Sequence, residues 1–160
     1  MATVLIVLPS AVGLTPSTVY EAKVANFTFG TQGGPTYAEA LASGQYKVSN
    51  CAITGIKVFE SDIFLTVPRW RTGVPATLNK LTADGTLQPF PSWAMNRVDD
   101  CEAIQYVQSM EVDPVRKEMW VVDVGRKYFA DPAGPDNTCP PKVVILSMPE
   151  GSVIDKFTLP

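Results

Sequence analysis

From Asp62 onward the chain repeats one arrangement: a short run rich in β-branched and apolar residues stops at a proline, glycine or aspartate break, and another run begins. Asp62 to Val67 stops at Pro68, and Ala76 to Leu81 follows Gly73 and Pro75. Asp84-Gly85 then turns the chain into Leu87. Ile104 to Val112, Met119 to Val124, Val143 to Met148 and Val153 to Leu159 continue the series, separated by Asp113-Pro114, Gly125, a proline-rich stretch and Pro149-Glu150-Gly151. Breaks of this kind close hairpins, and β-branched runs suit pleated, half-buried surfaces, so the spacing predicts antiparallel sheets. The one helical segment is Thr36 to Ser43, entered after Pro35 and ended by Gly44. An all-β sandwich and an all-β propeller both fit this pattern.

The composition supports a packed core: 46% of residues are hydrophobic and 18% charged. With a formal net charge of −3 there is no basic footprint, so neither nucleic acid nor an anionic membrane is expected as a partner. The chain contains no histidine, which excludes within it Ser-His-Asp and Cys-His nucleophiles and the usual zinc sites. No metal and no cofactor is expected. The glycine-rich stretch Phe29 to Pro35 lacks the Gly-Lys-Ser/Thr ending of a phosphate loop. Asp99, Asp100, Asp113 and Asp123 invite a metal or acid/base reading, but turn chemistry accounts for residues in such loop positions. Trp70, Trp93 and Trp120 are expected to fill gaps between sheets.

The apolar runs Val4 to Leu8 and Ala11 to Leu14 have the length of a signal-peptide core, yet no basic residue precedes them and Pro9 interrupts them. Residues 1–18 are read as a degenerate signal segment, with an ordinary strand as the alternative. Asn26-Phe27-Thr28 has the pattern of an N-glycosylation acceptor. Of the three cysteines, Cys51 is expected to be a buried, unreactive thiol.

Between Gly55 and Leu146 five phrases follow in order: "GIKVFESDIFLTVPRWRTGVPATLNKL", "LQPFPSW", "DDCEAIQYVQSMEVDP", "MWVVDVGR" and "NTCPPKVVIL". Together they resemble the N-terminal part of the yellow / major royal jelly protein family. That resemblance implies a six-bladed β-propeller, secretion to the extracellular space, and a disulfide between Cys101 and Cys139. A four-stranded blade takes about 40–45 residues. The expectation is therefore a partial propeller of about two blades over residues 19–160, with open sheet edges through which copies could self-associate.

Residues at the ends of propeller strands reach the rim or the central channel, where pockets form. Arg69, Trp70, Asp123 and Arg126 hold such positions and are the candidate ligand contacts. The resemblance implies binding of a small amine or catechol, or a pigmentation-associated role. Its alternative is a dopachrome-converting, tautomerase-type enzyme, which needs a positioned base. No residue set in the chain identifies that base, so whether the protein is catalytic stays open.

Overall fold

In the computed structural model, which describes residues 2–6 and 17–160, the punctuated runs become two antiparallel four-stranded meanders. The first contains β3 (Gly55–Phe59), β4 (Asp62–Thr66), β5 (Leu78–Leu81) and β6 (Leu87–Pro89), hydrogen-bonded in chain order. The second contains β7 (Val107–Asp113), β8 (Glu118–Asp123), β9 (Lys142–Ser147) and β10 (Val153–Thr158), again in chain order. A separate hairpin pairs β1 (Ala2–Ile6) with β2 (Ser17–Ala22). Residues 2–6 of the expected signal segment form β1, and residues 7–16 lie outside the described residues. The architecture is all-β and matches two blades of a propeller whose ring is not closed.

The blades stack on a shared apolar layer. Phe64 and Leu78 of the first sheet pack with Met119, Val121, Val144 and Leu146 of the second, all wholly buried. Burying side chains of this size contributes about 1.5–3 kcal/mol each. The innermost strands approach so closely that a Cβ on Gly55 would stand 2.6 Å from Thr66 Oγ1 and 2.9 Å from the Gln108 carbonyl oxygen. Only glycine fits there. This glycine start also explains why β3 is not legible in the sequence, since a strand opening on glycine reads as part of a break.

The far face of the first blade is covered by residues 20–53. Phe27, Ala40 and Tyr46 pack against Leu65, Val67 and Leu87, with Trp93 in the same cluster. The cover is fixed by backbone hydrogen bonds across the outer strand, Leu87 N–H to Asn26 O at 2.8 Å and Thr28 N–H to Leu87 O at 2.9 Å. The expected helix forms as α1 (Tyr37–Ala42) and contributes Ala40 to the cluster. Thr36 and Glu39 make a reciprocal capping box at its start, satisfying two otherwise unpaired N–H groups.

The outward face of the second blade has no such cover among the described residues. Trp120, Val122 and Phe157 are 41%, 53% and 49% exposed. Trp120 faces Glu111 on one side and Ile145 on the other across the sheet. Trp93 fills an interior gap as expected, whereas Trp120 does not, because nothing among the described residues packs on its face.

Candidate functional site

The loops that leave β4 and β8 and those that enter β5, β7 and β9 meet at one end of the paired blades. Two buried charges organise them. Arg69 has no exposed surface, and its guanidinium donates to the carbonyls of Val74, Pro75, Asn96, Ile104 and Gln105. Burial lowers its pKa to about 10, which leaves it protonated at neutral pH. Asp123, also wholly buried, accepts from the N–H groups of Gln105, Tyr106 and Gly125 and pairs with Lys142 Nζ at 2.8 Å. Because Asp123 captures the amides of residues 105 and 106, β7 starts at Val107 rather than at Ile104, where the apolar run begins.

Covalent and ionic ties hold the same end. Cys101 and Cys139 form the expected disulfide, with Cα atoms 5.1 Å apart. Lys142, 2% exposed at its side chain, also donates to the Cys101 carbonyl, so the ion pair and the disulfide brace one loop. Gly125 lies beneath them at a φ of +72°, and a Cβ there would stand 2.4 Å from the Cys139 carbonyl oxygen. Lys127, nearly without exposed surface, pairs with Asp136 at 2.8 Å and holds that carboxyl down to a pKa of about 2.

The segment after Lys127 lies over the loop that follows β4. Tyr128 N–H donates to Arg69 O, Ala130 N–H to Trp70 O, and Thr72 N–H to Asp131 Oδ2. Between them opens a cleft of about 450 Å³ lined by Asn50, Trp70, Arg71 and Phe129 among others. Trp70 is half-buried and donates through Nε1 to the Tyr106 hydroxyl, which itself donates to Gln108 Oε1. Tyr106 stacks obliquely on Phe129 with ring centroids 6.0 Å apart. Its hydroxyl pKa is raised by burial. The cleft wall is therefore aromatic, with the Arg71 cation and amide groups at its edge, and none of its lining side chains is a carboxylate.

The four candidate contacts separate by burial. Arg69 and Asp123 turn inward and are spent on backbone groups, so they shape the mouth without facing it. Trp70 lines the cleft, and Arg126 is exposed. The strand-end rule places all four at this end of the sheets but does not tell a buried charge from a rim charge. Tyr106, Phe129, Arg71 and Asn50 were not legible as site residues.

The remaining polar readings resolve locally. Asp113 caps a turn by accepting from Val115 and Arg116 N–H, Asp100 accepts from Glu102 N–H, and Asp99 pairs with Arg97 at the surface. Burial pushes the Cys51 thiol up to about 12, which makes it a poor nucleophile. Asn26 is exposed between buried Ala25 and Phe27. Among the described residues no group of three or more histidine, cysteine or acidic side chains could hold a metal ion. No described helix is long and apolar enough to cross a membrane.

No family model matches the chain. It is similar to the proteins named Protein yellow of Drosophila melanogaster, Drosophila madeirensis and Drosophila yakuba, with 33% identity over 129 residues in each case. The match covers 76% of this chain and 22–23% of those relatives, so the chain spans under a quarter of their length.

Proposed function

The chain belongs to the yellow family, and from that premise we propose that it is secreted and binds a small aromatic ligand of the catechol type at the mouth of its blades. The observation that carries this reading is the cleft formed by Trp70, Phe129 and Arg71, backed by the Trp70–Tyr106–Gln108 hydrogen-bond chain. Aromatic walls stack on a ring, and the polar edge offers partners for its hydroxyls. An amine group finds no carboxylate on this wall and has only the ring faces to meet, so the ring is the recognised part. The disulfide suits an oxidising compartment, which supports secretion. The dopachrome-converting alternative needs a base in the cleft, and neither a carboxylate nor a histidine is among its described lining side chains.

Calorimetric titration with catechol, dopamine and butylamine tests the reading. Catechol and dopamine bind, butylamine does not, and Trp70→Ala weakens binding about tenfold, equal to about 1.4 kcal/mol. Heat from butylamine alone, or unchanged affinity in Trp70→Ala, defeats it. Accelerated loss of dopachrome colour by the protein would install the enzymatic reading instead.

A further inference from the structure

A second cavity lies away from the mouth, in the cover over the first blade. It has a volume of about 500 Å³ and is lined by Asn26, Phe27, Phe29, Tyr37 and Tyr46 with two valines. Four rings form its aromatic wall; Phe29, Tyr37 and Tyr46 are mutually in contact, with centroid separations of 5.5 Å for Phe29–Tyr37, 5.3 Å for Phe29–Tyr46 and 6.0 Å for Tyr37–Tyr46, and Phe27 packs on Tyr46 at 5.7 Å. No charged side chain lines it, and Tyr37 and Val24 remain 49% and 47% exposed at its rim. Exposed aromatic surface of this kind marks a place that something covers.

What reaches it is fixed by Asn26. The Asn26 carbonyl accepts from Leu87 N–H, Thr28 N–H returns a bond to Leu87 O, and the Tyr46 hydroxyl donates to Ala25 O. The flanking Ala25 and Phe27 are buried, so the Asn26 backbone is held in place while the residue itself is exposed and lines the cavity. Asn26 is also the first residue of the acceptor pattern Asn26-Phe27-Thr28.

We infer that Asn26 carries an N-linked glycan whose first N-acetylglucosamine rests in this aromatic cavity and seals the cover onto the blade. The inference rests on the secreted reading. A pyranose presents C–H groups on one face and hydroxyls at its edge, which suits ring faces below and solvent above. The sugar is tethered at the cavity wall, so its contact with the rings is intramolecular and bears little of the usual entropic cost of association.

The test uses the full chain passed through an insect-cell secretory pathway behind an added leader. Mass spectrometry reads occupancy of Asn26 and the state of Cys101 and Cys139 in the same digest. Trimming the glycan to its first sugar leaves Tm unchanged, and removing that sugar, or Asn26→Gln, lowers Tm by about 2–4 °C, the shift expected for a contact of about 1 kcal/mol in a chain of this length. In Tyr37→Ala, a half-exposed position, the same removal shifts Tm by less than half as much. A bonded Cys101–Cys139 chain with no sugar on Asn26 overturns the inference and leaves the secreted reading intact. A sugar whose removal changes nothing, or changes Tyr37→Ala equally, overturns it as well. Free cysteines in the recovered chain count against the secreted reading instead.

Discussion

Replacing Arg69 by lysine keeps the buried charge and takes away the planar fork. The guanidinium serves five carbonyls, those of Val74, Pro75, Asn96, Ile104 and Gln105. An ammonium has three N–H donors on one atom, so at least two of these buried acceptors lose their partner. Each buried acceptor left unpaired costs about 1–3 kcal/mol, which places Arg69→Lys at about 2–6 kcal/mol. At the lower bound Tm falls by about 4 °C. Urea unfolding followed by tryptophan fluorescence measures the loss, provided the slope of the transition is unchanged. A difference under about 0.5 kcal/mol, within the range of ordinary surface substitutions, would refute the claim that the fork holds the mouth together. Arg69→Met separates two causes, because it removes the desolvated charge and leaves every carbonyl unmet. A methionine variant more stable than the lysine variant would assign the cost to the charge.

Cys101 and Cys139 close a loop with a sequence separation of 38, and replacing both by serine costs about 4 kcal/mol on the chain-entropy relation, measured by the shift in urea midpoint. Asp136 is held at about pH 2 against an ordinary 3.8, so its contribution to stability is full above the ordinary value and disappears as pH falls towards 2. Asp136→Asn therefore flattens the acid limb of the Tm-versus-pH curve between those two values, and an unchanged limb counts against the Lys127 pairing as its cause. The uncovered Trp120 face drives concentration-dependent association of the isolated chain in sedimentation experiments, and Trp120→Lys weakens that association at least about tenfold. Monomers of both proteins at high concentration would show that the open face is tolerated in water.

The strands were legible where local chemistry is strong. Asp62–Thr66 and Val153–Thr158 were bounded by a proline and by a Pro-Glu-Gly turn, and the helix by Pro35 and Gly44. β3 was hidden because its glycine answers to a neighbouring blade, a contact between residues distant in sequence. The same limit governs the site. Arg69 and Arg126 each follow a strand, and only the convergence of five carbonyls from three separate segments makes the first interior. Phe129 enters the cleft because Tyr128 and Ala130 bond to the backbone of residues 69 and 70, a pairing that no periodicity announces.

The cover that residues 20–53 lay over the first blade gives the molecule handedness as a building block. An uncapped stack of blades could add copies front to back without limit, the arrangement that generates open filaments. Here the back is largely occupied by Phe27, Tyr46 and α1, leaving Ile56 and Val58 as its exposed remnant. Association of the isolated chain through the Trp120 side is therefore expected to be self-complementary and to stop at a pair, which sedimentation would read as a dimer and not as a growing series.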